Sequence, residues 1–355
     1  TTLSKGVQVA LLPKKSRGEM VVLSLNLKFG DLESLKGREG ACSYLGSVMS
    51  RGTSTMNHQQ IQDALDKLGA SLSVSSGLGT LSVSIQVKQE NLAATLDIAK
   101  QILQDPVFPK EEFDLLIQQR MASLEAASTD PQQLAVNLVT RKLFPYDNDD
   151  VRAQHTYEQQ MKELKELQLS DVKAIYDEFL DNSNGELIVV GDFESEAVKQ
   201  AIDESIGDLG STHKYSRIPR QAFLDVPGSH EKIITPDKKN SMYLSAMQIP
   251  VGRMHEDYPS LVIGNHILGG GSLSSRLADR VRQKDGLSYG IASMYRSYPK
   301  ENLSRLMIYA ISNPENSPKV VKAIDEELKR LLKDGITQDE LDRAKTSILQ
   351  SNLVS

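Results

Sequence analysis

The residues from Gly40 to Thr53, GACSYLGSVMSRGT, set two hydroxyls, Ser43 and Ser47, one helical turn apart, with Gly46 between them and Cys42 alongside. Residues four apart share one face of a helix, so these groups stand where a site could be built. A serine acts as a nucleophile only where a base takes its proton. None of the six histidines, His58, His155, His213, His230, His255 and His266, is close to Ser43 or Ser47 in sequence. The plain alternative is that small residues let a second element approach the helix closely. Cys42 is the single cysteine and lies among apolar neighbours, which suits a small buried hydrophobe better than a reactive thiol. One cysteine excludes an internal disulfide framework and a cysteine-rich zinc site.

A second constellation is ILGGGSLSSRLADRVRQKDGLSYGIAS, from Ile267 to Ser293. Gly269, Gly270 and Gly271 suggest a phosphate loop, but a Walker A loop closes with Gly-Lys-Ser/Thr and Ser272-Leu273 does not supply it. On the same stretch Arg282 and Tyr289 offer a cation and a phenolic donor. Their bland reading is an ion pair of Arg282 with Asp279 or Asp285, and a core-edge place for Tyr289.

The elements that must position these groups follow from hydrophobic period. Val7 to Leu12 and Met20 to Phe29 read as strands, and Leu81, Val83, Ile85 and Val87 alternate with polar residues as a half-buried strand. Helical spacing covers Asn57 to Leu68, Glu90 to Leu103, Pro109 to Ala127, Pro131 to Leu143 and Leu169 to Leu180. GELIVVGDF, Gly185 to Phe193, reads as a buried strand and Glu194 to Ile206 as a helix. Turn formers dominate Gly207 to Asn240, which predicts a first subdomain over 1–207, a linker over 208–240 and a second subdomain over 241–355. The second part repeats the first: a strand at Met242 to Ile249, helices at Pro259 to Leu268 and Ser274 to Arg282, and strands at Tyr289 to Tyr295 and Leu303 to Ile311. Helices at Ser317 to Leu332 and Thr337 to Leu353 close it. FPKEEFD at Phe108 echoes ITQDELD at Ile336, each opening a long helix, as expected of a duplication.

The chain has 355 residues, 39% of them hydrophobic and 25% charged, with a net charge of −6. That is ordinary globular composition, and the acidic balance argues against nucleic-acid binding, which needs a concentrated basic face. No run has the roughly 18 apolar residues of a membrane span.

With that order in hand, GACSYLGSVMSRGT resembles the zinc helix of the pitrilysin and mitochondrial-processing-peptidase proteases, where H-x-x-E-H ends in a Gly-Thr turn. In that motif two histidines four apart reach one zinc, and the glutamate acts on the water it holds. Anchoring on Gly52-Thr53 places the first histidine at Ser43, the glutamate at Gly46 and the second histidine at Ser47. The family's third ligand, a glutamate, falls at Ser123 when anchored on Asp130-Pro131, and Glu125 is two residues away. ELQLSDVKAIYDEFLDNSNGELIVVGDF, from Glu166, and the glycine-rich stretch from Ile267 look like the family's later motifs, so the match covers nearly the whole chain.

The resemblance implies an α+β fold: two similar α/β-sandwich subdomains of the processing-peptidase half type, related by duplication and continuing past Ser355. It implies a degenerate site, with no zinc held by this chain and zinc in a partner half. Arg282 and Tyr289 would bind the substrate backbone carbonyl beside that zinc, with Gly269 to Gly271 as further substrate contacts. The expected role is the non-catalytic half that closes a peptide chamber, in cis or in trans to an H-x-x-E-H half. The rivals are an assembly subunit and a peptide-binding module. The lone cysteine and the family point to an exported bacterial protein, with an organelle as the alternative.

Overall fold

The computed structural model describes residues 7–15, 18–180, 184–196, 198–200 and 213–354. The helix expected from Glu194 to Ile206 and the start of the expected linker lie partly outside the described residues, at 197 and 201–212. The first part of the chain runs β1 (Gln8–Pro13), β2 (Met20–Lys28), α1 (Glu39–Met49), α2 (His58–Leu68), β3 (Ser71–Gly77) and β4 (Thr80–Lys88). It continues through α3 (Leu92–Gln104), α4 (Lys110–Ala127), α5 (Pro131–Leu143), α6 (Tyr157–Glu166), α7 (Leu169–Phe179) and β5 (Gly185–Gly191). Then come β6 (Ser241–Ile249), α8 (Tyr258–Asn265), β7 (Gly290–Ser297), β8 (Ser304–Ser312), α9 (Ser317–Asp334) and α10 (Gln338–Val354). Between α8 and β7 the chain makes two wide π-helical stretches, His266–Gly270 and Ala278–Lys284.

The residues fall into two compact units, the first drawn from Thr1–Ser123, Asp149–Val151 and Gln160–Ile218, the second from Leu124–Asn148, Arg152–Gln159 and Pro219–Ser355. In the first, five strands lie in the order β1-β5-β2-β4-β3, parallel between β1 and β5 and antiparallel elsewhere. Alternation decides which face is covered. Val21, Leu23, Leu25 and Leu27 of β2 and Leu81, Val83, Ile85 and Val87 of β4 are buried with Ala41, Cys42, Leu45 and Met49 of α1, Leu96 and Ile102 of α3, and Val172 and Ile175 of α7. The opposite face carries Ser24, Asn26, Gln86 and Glu186, with Leu12, Val22 and Ile188 exposed among them.

The second unit holds the antiparallel sheet β6-β8-β7. Leu277, Ala278 and Val281 of the second wide helical stretch and its N-terminal flank, with Val320, Ala323 and Ile324 of α9, share a core with Ile291 of β7 and Ile308 and Ala310 of β8. Helix α5 belongs to this unit. Gln248 of β6 donates to the Leu143 carbonyl at 2.6 Å, beside a small cluster of Leu143, Phe144 and Leu303. Element order repeats across the units: β2, helices, the β3-β4 hairpin and α3-α4 in one, β6, helices, β7-β8 and α9-α10 in the other, with matching strand orders β2-β4-β3 and β6-β8-β7.

Two elements were not expected from the sequence. Strand β3, SLSVSSG, is built mostly of serines, and only Val74 is buried. Helix α6 buries only Leu164, too little to print a helical period on the sequence. Among the described residues no helix is long and apolar enough to cross a membrane.

Candidate functional site

Helix α1 runs through GACSYLGSVM and turns its apolar residues into the sheet. Ser43 is exposed, and its Oγ donates back to the Glu39 carbonyl at 2.8 Å, a common use of a mid-helix serine. Ser47 is half-buried, and its carbonyl accepts from Ser50 Oγ at 3.1 Å. Gly46 faces β3 at close range. Its N–H donates to Ser76 Oγ at 2.8 Å, and a Cβ here would stand 2.8 Å from the Ser75 carbonyl carbon. The close approach of the strand therefore requires the glycine.

Helix α4 lies beside α1. Arg51, just past α1, donates to Glu112 of α4 at 2.8 Å, and at the other end Arg120 acts on Tyr44. Burial raises the Tyr44 phenol pKa, and the Arg120 charge opposes that rise. Ser123 lies on α4 and is exposed, as is Glu125.

The donor set at these positions does not fit zinc. Imidazole, thiolate and carboxylate hold that ion; here there are three neutral hydroxyls, one of them bound to Glu39, and a glycine without a side chain. Among the described residues no group of three or more His, Cys, Asp and Glu stands where it could hold a metal ion. Cys42 adds nothing reactive, because burial pushes its thiol up to about 11.

In the second unit the glycines have packing reasons. A Cβ on Gly269 would meet the Ser293 nitrogen of β7 at 2.4 Å, on Gly270 the Asn265 side chain at 2.6 Å, and on Gly271 the His266 carbonyl oxygen at 2.7 Å. The wide turn that ends with Gly271 N–H donating to the His266 carbonyl at 2.8 Å lies flat on the sheet. Beyond it, Arg276 grips α10. Its Nε and Nη2 donate to the two Glu340 oxygens at 2.6 and 2.8 Å, Nη2 also reaches the Gly335 carbonyl at 2.8 Å, and Glu327 of α9 stands 3.8 Å from Nη1. This fork holds the Glu340 carboxyl down at about 2.

Arg282 and Tyr289 follow that anchored turn. The acids named above as candidate partners of Arg282 are taken by others: Lys284 pairs with Asp279 at 2.7 Å and Arg280 with Asp285 at 2.9 Å. The exposed Arg282 side chain has no ion pair or side-chain hydrogen bond among the described residues. Tyr289 is 62% exposed, so a core-edge place is excluded. Its N–H pairs with the Ile311 carbonyl at 2.9 Å, and its Oη donates to Asn313 Oδ1 at 3.0 Å. Sequence reasoning passed over Asn313, although Asn-Pro after a strand is a turn signal.

Two family models match this chain. The one described as "Insulinase (Peptidase family M16)" covers residues 9–149, and the one described as "Peptidase M16 inactive domain" covers residues 166–348. The "Non-peptidase homolog YmxG" of Helicobacter pylori is 22% identical over 339 residues, spanning 94% of this chain and 74% of that protein. The crystal structure of a peptidase M16 inactive domain from Pseudomonas fluorescens matches with a TM-score of 0.80 at 20% identity, over 98% of this chain and 82% of that one. The periplasmic protease PqqL of Escherichia coli matches with a TM-score of 0.75 at 13% identity, over 99% of this chain but 38% of that one. At such identities the structural likeness speaks for the fold alone.

Proposed function

The chain belongs to peptidase family M16, and on that premise we propose that it is the zinc-less half of a zinc metalloendopeptidase. Its partner is a half bearing H-x-x-E-H, upstream on the same polypeptide or on a separate subunit. This chain closes the peptide chamber and presents Arg282 and Tyr289 at the partner's zinc site. There a fixed guanidinium and a phenolic O–H donate to the carbonyl oxygen of the scissile amide, which gains negative charge as the bond is attacked.

The observation that carries the reading is the exposure of both side chains. Arg282 is exposed and has no ion pair among the described residues although Asp279 and Asp285 are its sequence neighbours, and Tyr289 is 62% exposed. A non-proteolytic role is the second reading, favoured by the printed name of the Helicobacter relative and needing neither side chain free. The exported, periplasmic location expected above remains part of the proposal, in line with the stated location of PqqL.

Metal analysis of the purified chain is the first test: far less than one zinc per molecule is expected, and a tight stoichiometric zinc would overturn the reading. Adding the chain to its H-x-x-E-H half should raise peptide cleavage, while no gain at saturating chain would favour the non-proteolytic role.

A further inference from the structure

Tyr289 reaches the surface with its phenolic proton already committed. Oη donates to Asn313 Oδ1 at 3.0 Å, and a phenol has one proton to give. While that bond stands, Tyr289 cannot donate to a substrate carbonyl. The partner, however, is an amide, whose acceptor and donor ends exchange places when the group turns over.

The backbone fixes Asn313 for this task. Tyr289 N–H is bonded to the Ile311 carbonyl, which sets the start of β7 beside the end of β8, two residues before Asn313. Pro314 follows and holds Asn313 extended, at φ −61° and ψ 143°. Asn313 sits at the N-cap of the short turn Pro314–Asn316, a place where asparagine side chains ordinarily bond the turn's own N–H groups. Here the side chain makes no cap bond and goes to Tyr289 instead.

We propose that Asn313 is the positioning residue of Tyr289, and that its amide turns over on substrate binding so that Nδ2 donates to the phenolic oxygen and the intact phenolic O–H donates its hydrogen bond to the peptide carbonyl oxygen. The inference rests on the substrate-binding role given to Tyr289 above. Holding the ring in place limits its rotamers, and a donor on the phenolic oxygen makes its O–H the stronger donor. An aspartate of the same shape could not do this, because a carboxylate only accepts and would keep the proton.

The test is kcat and KM for a fluorogenic peptide cleaved by the chain paired with its H-x-x-E-H half, with Asn313→Asp, Asn313→Ala and Tyr289→Phe, and with thermal unfolding of each variant. Asn313→Asp is expected to lower kcat on the order of a hundredfold, the scale of losing one oxyanion donor, with little change in KM. Asn313→Ala, which leaves the phenol free to donate, should lose less, and both should unfold like the parent chain. In the Tyr289→Phe background Asn313→Asp should have no further effect. If Tyr289→Phe slows cleavage but Asn313→Asp does not, or if Asn313→Asp slows it equally without the phenol, the role of Asn313 falls and that of Tyr289 stands. If Tyr289→Phe changes nothing, the underlying reading falls and this inference with it.

Discussion

Gly46 carries more of the structural argument than the serines beside it. The Ser75 backbone lies where its Cβ would be, at 2.8 Å, and Ser76 accepts its N–H. Gly46→Ala should therefore destabilise the first unit by about 1–3 kcal/mol, the usual cost of overpacking, read as a lower urea midpoint. An unchanged midpoint would mean that β3 moves away freely. Ser43 and Ser47 were legible as positions without ligand chemistry, because residue type alone says that a hydroxyl is no match for imidazole. The reason for the glycine was not legible. It depends on β3, whose serines print no hydrophobic period, and on a backbone approach that no spacing rule encodes. Likewise the free state of Arg282 could not be read from sequence, where Asp279 and Asp285 look like partners, because side-chain direction on the turn gives them to Lys284 and Arg280.

Two residues before the wide helical stretch that carries Arg282, Arg276 is bound through its fork to Glu340 of α10. The Glu340 carboxyl is held at about 2 against an ordinary 4.5. The folded state thus binds fewer protons there than the unfolded state, so this pair's stabilisation is complete above pH 4.5 and is lost as the pH falls toward 2. The full effect is about 3 kcal/mol, of which about 2 kcal/mol should be gone by pH 3. Urea unfolding at pH 6 and pH 3 should show the parent chain losing more stability than Glu340→Gln, and equal losses would remove the pair from the account. The strands β2, β4 and β5 and the long helices were readable because each buries one alternating or helical face. Helix α6, with one buried leucine, was not, and at His266–Gly270 and Ala278–Lys284 the helical period was readable but the wider π-helical winding was not.

Across the whole molecule, the repeat of β2-β4-β3 by β6-β8-β7 and the placing of FPKEEFD and ITQDELD at the openings of α4 and α10 support two subdomains of one plan. The family match spans both, with the inactive-domain model over residues 166–348. The first unit carries Ser43, Gly46 and Ser47 on α1, and the second carries the exposed Arg282 and Tyr289. An exposed neutral hydrogen bond such as that of Tyr289 with Asn313 is worth only about 1 kcal/mol, so the phenol gives up this partner at little cost. The most direct measurement is peptide cleavage by the H-x-x-E-H half, with this chain added as parent, Arg282→Ala or Tyr289→Phe. The account predicts that the parent raises kcat/KM and that each substitution removes most of the gain, on the order of tenfold or more, while association of the halves is unchanged. A gain that survives both substitutions would contradict it.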